Sequence, residues 1–219
     1  MTADLEWLSA GWCARKGGQY QGIRANLPDK QWLGMEHKNQ GIIMFKLRFR
    51  FSEIQDIAAR YYYPREEDEL INRRTKILQA QYLTKNDLRD VCRWKSPRSA
   101  GHVQTNSERF VKEITRFSLT ASDERARVQT LTILDGVSWP TASVILHLFH
   151  QDKYPILDFR ALWSVNADMP NQYSFSYWWE YVQFTRWVSS KANVSMRVLD
   201  RALWQYSKEN QRNRRNAYP

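Results

Sequence analysis

Residues 130–165 read TLTILDGVSWPTASVILHLFHQDKYPILDFRALWSV, and this stretch decides the fold. Apolar residues at helical spacing run up to Leu134, the pair Gly136-Val137 interrupts them, and a second apolar run continues to Phe149. The pattern is a helix, a tight glycine-containing hairpin, a second helix and a short extended piece, after which the carboxylate of Asp158 stands ahead of another helical run. Gly136 permits positive φ or close backbone approach. Successive N–H groups in such a turn, backed by the start of the next helix, form a concave site for an anion such as phosphate. That site grips backbone and reads no bases. An ordinary pair of antiparallel helices whose glycine merely ends the first one gives the same local pattern. Asp158 also has an everyday reading, as an N-cap worth about 1 kcal/mol.

Two features joined favour the more specific reading. Leu134, Gly136, Val137, Thr141 and Ala142 match the form L-x-G-V-G-x-x-T-A, with Ser138 where the second glycine would stand, and Asp158 follows Pro140 by 18 positions. In this the chain resembles the helix-hairpin-helix DNA glycosylases related to endonuclease III, whose catalytic aspartate lies at that distance. The resemblance covers about 35 residues. It implies an all-α, two-lobed fold: one lobe over 52–152 carries the hairpin at 127–150, and 1–51 together with 153–219 form the other. It makes Asp158 the catalytic residue and Gly136, Val137, Ser138, Trp139 and Thr141 the hairpin's contacts with duplex DNA. The strand-cutting members carry a lysine nucleophile where Pro140 stands, so a monofunctional enzyme is implied, one that uses water and leaves an abasic site. The target base stays open among alkylated, deaminated, oxidised and hypermodified forms, including the modified bases of phage DNA that some prokaryotic members excise in defence. A non-enzymatic helix-hairpin-helix module that only grips phosphates is the alternative.

The chemistry fits a carboxylate at a helix start. Positive charge builds on the sugar as a base departs, and a fixed anion in a dry pocket stabilises it. The helix dipole favours the ionised form. No metal and no cofactor is required.

The composition agrees with a polyanionic partner. The 219 residues carry 33 Lys and Arg against 23 Asp and Glu, a formal charge of +10. Cys13 and Cys92 are the two cysteines, too few for a four-cysteine zinc or iron–sulfur site within one chain. No apolar stretch approaches the roughly 20 residues of a membrane span. The segment from Met1 to Ala14 lacks the pattern of a secretory signal. A soluble cytoplasmic monomer associated with DNA is expected.

Outward from the hairpin, helices are expected near 85–95, 107–118, 123–134 and 140–150, one starting at Asp158, and two over 174–190 and 195–208. Thr84 with Asp87 resembles a capping box, Asn106 is a candidate cap for the run through Phe117, and Ser122 is a candidate cap ahead of two first-turn acids, Asp123 and Glu124. Between 41 and 62 two patterns compete. Phe45, Leu47, Phe49 and Phe51 alternate, whereas Met44, Leu47, Phe51, Ile54, Ala58 and Tyr61 form a helical stripe, and the helix is favoured. Lys95 and Arg98, in the run Trp94-Lys95-Ser96-Pro97-Arg98, are candidates for phosphate or base-pocket contact, though cations at a helix C-terminus are common for their own sake. His147 and His150 with Asp152 have too few companions to argue for a metal.

Overall fold

Short polar residues stand at the start of seven of the ten α-helices among the described residues. The computed structural model describes residues 45–62, 64–167 and 169–211, which fall in a compact unit spanning Ile43–Pro219. Among the described residues the regular structure is helical throughout. It comprises α1 (Ile54–Ala59), α2 (Arg65–Asn72), α3 (Arg74–Ala80), α4 (Lys85–Lys95), α5 (Glu108–Thr120), α6 (Glu124–Leu131), α7 (Trp139–Phe149), α8 (Phe159–Ser164), α9 (Phe175–Lys191) and α10 (Met196–Asn210). Two 3-10 segments, Phe51–Glu53 and Pro97–Thr105, complete it. Thr84 and Asp87 form the reciprocal capping box at α4, with each side chain accepting the other's backbone N–H at 3.1 and 3.0 Å. Ser107, Asp123, Ser174 and Ser195 each accept one first-turn backbone N–H at the starts of α5, α6, α9 and α10, so the cap of α6 is Asp123 and not Ser122.

Helix α7 is the axis of the core. Thr141–Leu146, Leu148 and Phe149 are all buried, as expected of a helix apolar on every side. It packs on α3, α4 and α6, while α10 packs on α1, α8 and α9. The Arg74 guanidinium donates to the carbonyls of Leu148 and His150, satisfying the last turn of α7.

The expected helix at 41–62 forms only in part. Residues 41–44 lie outside the described residues, 45–50 are non-helical with a bend at Arg48 and Phe49, and the α-helix begins at Ile54. Lys46 and Arg48 donate their backbone N–H to the carbonyls of Val165 and Ser164, at 2.8 and 3.0 Å. The inward face is Phe45, Leu47 and Phe49 while Lys46, Arg48 and Arg50 face solvent, so the alternating pattern governs here and the helical stripe governs only beyond Ile54. Phe45 enters an aromatic group with Tyr177, Tyr181 and Phe184, its ring centroid 5.6–5.7 Å from theirs. No helix among the described residues is long and apolar enough to cross a membrane.

Candidate functional site around Asp158

Asp158 is delivered by a buried extended segment, Tyr154–Leu157, that is anchored to three helices. The Ser143 hydroxyl on α7 accepts the Leu157 N–H at 2.8 Å and donates to the Pro140 carbonyl at 2.7 Å. Asp200 on α10 accepts the Ile156 N–H at 3.0 Å, and the Tyr181 hydroxyl on α9 donates to the Ile156 carbonyl at 3.3 Å. Buried backbone groups need such partners, and here the partners also fix the position of the next side chain. Asp158 caps α8, its Oδ1 accepting the Arg160 N–H at 2.9 Å. The capping role expected of it is therefore real.

Its other oxygen has a different partner. Lys95, at the last position of α4, places Nζ 2.6 Å from Asp158 Oδ2, with the two side chains 10% and 18% exposed. Both border a cavity of about 220 Å³. That is below the roughly 300–1,000 Å³ of sites for drug-sized ligands and suits a smaller occupant. Tyr61, Trp94 and Trp204 supply aromatic walls, with Tyr61 and Trp204 meeting edge to face at 5.3 Å. Arg197 and Asp200 supply a polar floor.

Beneath the floor lies a charge network that the sequence did not disclose. Glu67 is 1% exposed, accepts the Tyr61 hydroxyl at 2.8 Å and pairs with Arg197 and Arg201. Arg197 also donates to Asp200 at 3.3 Å and lies 3.3 Å from His147 Nε2. A buried carboxylate is tolerated only when paired and hydrogen-bonded in this way. Glu67 sits in the mostly acidic run at 65–69, ahead of Leu70 and Ile71, and nothing in its local pattern marks it out for burial. Burial raises the pKa of the Tyr61 phenol, so it remains a neutral donor.

The hairpin meets α4 one turn before Lys95, at Cys92. Gly136 has φ +88°, and a Cβ there would stand 2.9 Å from the Ser99 carbonyl oxygen. Glycine is therefore required twice over, by backbone conformation and by close approach. Asn106, expected to cap α5, does something else: its side-chain amide donates to the Asp135 carbonyl at 3.0 Å and accepts the Asp135 N–H at 3.1 Å. Ser107 takes the capping role, accepting the Phe110 N–H at 3.1 Å. Cys92 donates its thiol to the Gly136 carbonyl at 3.5 Å, and burial pushes its pKa up to about 12. Ser138 has φ −98° and ψ 174°, an extended conformation open to any residue, so its departure from glycine carries no conformational penalty. Pro140 lies in the first turn of α7, where a missing N–H leaves no helical bond unmade.

The remaining candidates are distributed unevenly. Ser138 is exposed and Trp139 half-buried, its ring 6.3 Å from that of Trp178, while the side chains of Val137 and Thr141 are buried and the Val137 N–H donates to the Leu134 carbonyl at 3.0 Å. Arg98 is exposed in the 3-10 segment. Lys95 faces the cavity rather than the outer surface. His147 Nδ1 lies 2.6 Å from the Tyr154 carbonyl, and His150 Nδ1 accepts the Asp152 N–H at 3.0 Å, so both imidazoles have structural partners. Comparison with family models, with curated proteins and with solved structures finds no match to this chain.

Proposed function

We propose that the chain is a DNA glycosylase of the two-lobed helix-hairpin-helix kind, in which Asp158 stabilises the positive charge that develops on deoxyribose as a modified base departs. The observation that carries this reading is the convergence on one helix: Cys92 of α4 touches the Gly136 turn, and Lys95, three residues later, reaches Asp158 in an aromatic, polar-floored cavity. A phosphate grip and a carboxylate pocket set one turn apart along one face of a rigid element are what an enzyme needs to hold duplex DNA and act on an extruded nucleotide. Aromatic walls suit a planar base, and the anchored Tyr154–Leu157 segment holds the carboxylate without reorganisation. Pro140 offers no amine, so the hairpin position itself contributes nothing to strand cleavage. The basic charge of +10 supports binding to DNA whatever its sequence.

The test incubates the protein with genomic DNAs bearing alkylated, deaminated, oxidised and glucosylated bases, the last as in some phage DNA, and measures free base by chromatography. Asp158→Asn keeps an N-cap and removes the anion, which is expected to lower base release by about 100- to 1000-fold while leaving DNA binding intact. The rival, a phosphate-gripping module without catalysis, draws on the Lys95–Asp158 pair, since an ion pair can serve structure alone. Tight binding with no base released from any of these DNAs, by either protein, selects the rival.

A further inference from the structure

Among the described residues Lys95 is the one lysine that borders the cavity, and its ammonium touches the carboxylate assigned to catalysis. The other cation there, Arg197, is held by Glu67 and Asp200 and is not a nucleophile. Lys95 lies at the end of α4, outside the hairpin, so the amine that Pro140 cannot supply enters the same pocket from a different element. From this geometry we infer that Lys95 is a catalytic amine that forms an imine with C1′ of an abasic deoxyribose and cleaves the strand by β-elimination. The inference rests on the glycosylase reading for its biological substrate, and it replaces the expectation of intact strands that followed from Pro140 alone.

Each step balances with the groups present and water. Lys95 passes one proton to Asp158 Oδ2 along the existing 2.6 Å hydrogen bond, freeing its nitrogen lone pair. The amine adds to the C1′ aldehyde of the ring-opened sugar, and the former carbonyl oxygen departs as water with one proton from the nitrogen and one from Asp158. The product is a protonated imine beside a carboxylate. Asp158 then removes a C2′ proton, the electrons flow toward the imine nitrogen and back, and the C3′–O3′ bond breaks with its electron pair on the departing phosphate. Water hydrolyses the imine and returns Lys95 as the ammonium, and Asp158 releases the C2′ proton to solvent. The pair thus works as nucleophile and base in turn, the arrangement by which a neighbouring acceptor activates an amine.

The experiment uses the full chain and a duplex oligonucleotide with one preformed abasic site, so that base identity plays no part. Borohydride reduces any imine to a stable amine, giving a covalent adduct visible by electrophoresis. The expected result is an adduct and strand scission with the parent protein, with peptide mapping placing the sugar on Lys95. Lys95→Arg keeps a cation beside Asp158 but cannot form the imine, and should lose both adduct and scission while melting near the parent temperature. An adduct mapped elsewhere, undiminished scission by Lys95→Arg, or no adduct with the parent overturns the proposal. Mapping of the parent adduct needs no variant, so the test survives even if Lys95→Arg folds poorly. Imine formation at Lys95 on abasic DNA, together with no base release from any modified DNA, would uphold this inference and reject the glycosylase reading; the converse pair of results would do the reverse.

Discussion

A double-mutant cycle on Lys95 and Asp158 measures how strongly the two partners of the 2.6 Å contact depend on one another. Lys95→Met keeps the length of the side chain and removes the charge; Asp158→Asn keeps the cap on α8 and removes the anion. With side chains 10% and 18% exposed, the pair lies between the surface and the interior. Exposed pairs are worth about 0–1 kcal/mol, whereas removing one partner of a buried pair costs about 3–5 kcal/mol because the other charge is stranded. The open cavity admits water to both groups, which places each single substitution near 2 kcal/mol, a fall in Tm of about 4–8 °C for a chain of this size. The Asp158→Asn cap contributes only a few tenths of that, since Asn and Asp are near-equal caps. In the double variant no charge is stranded, so its loss should be smaller than the sum of the single losses by about 1–3 kcal/mol. Urea unfolding followed by circular dichroism reads all four proteins. Additivity within about 0.5 kcal/mol would mean that the 2.6 Å contact is not an energetically coupled pair, and the mechanism assigned to Lys95 would lose its first step.

Gly136→Ala should destabilise by at least about 1–2 kcal/mol from the left-handed backbone alone, before the 2.9 Å approach to the Ser99 carbonyl is relieved, and a thermal melt unchanged within error would refute the tight packing of the hairpin. The same variant should weaken binding to all duplex sequences alike, measured by titration at two salt concentrations. Cys92, buried and with its pKa pushed to about 12, should resist a thiol-specific reagent at pH 8 in a Cys13→Ser background and react fully in denaturant; rapid labelling of the native protein would contradict its burial. His150 has a pKa lowered below its ordinary 6.5, first by burial and then by the Arg127 charge. The unfolded chain therefore binds a proton that the folded one refuses, so this contribution to stability is complete above pH 6.5 and declines as pH falls below it. Protonation would also break the bond that Nδ1 accepts from the Asp152 N–H. His150→Gln should flatten the stability profile between pH 5 and 7, and an unchanged slope would exclude the imidazole as its source.

Much of the helical layout is legible because its signals are local. Thr84, Asp123, Ser174 and Ser195 each act within three residues of themselves, so the starts of α4, α6, α9 and α10 can be read from short polar residues ahead of apolar runs. Residues 45–50 are not legible in that way, because both periodicities fit them. What decides between the two is pairing with carbonyls of Ser164 and Val165, more than a hundred positions away. Asn106 misleads for a related reason: the side chain that could cap its own helix bonds the backbone of Asp135 instead. At the candidate site, Asp158 stands out through its distance from the hairpin, but its meeting with Lys95 joins residues 63 positions apart. The buried Glu67 and its arginines are likewise a product of the tertiary fold, and charge alone reads them as surface.

The hydroxyl of Ser143 has a mechanical consequence. It ties Leu157, the neighbour of Asp158, to a helix whose own start is the hairpin turn. From Trp139 to Ser143 is one turn of α7, about 6 Å of nearly inextensible rod. The turn and the carboxylate are thus two jaws of a caliper set at a fixed opening. On the proposed glycosylase reading, whatever the hairpin grips would be gauged against Asp158, and a substrate whose backbone and reacting carbon are spaced differently would be rejected by length before any chemical group is read.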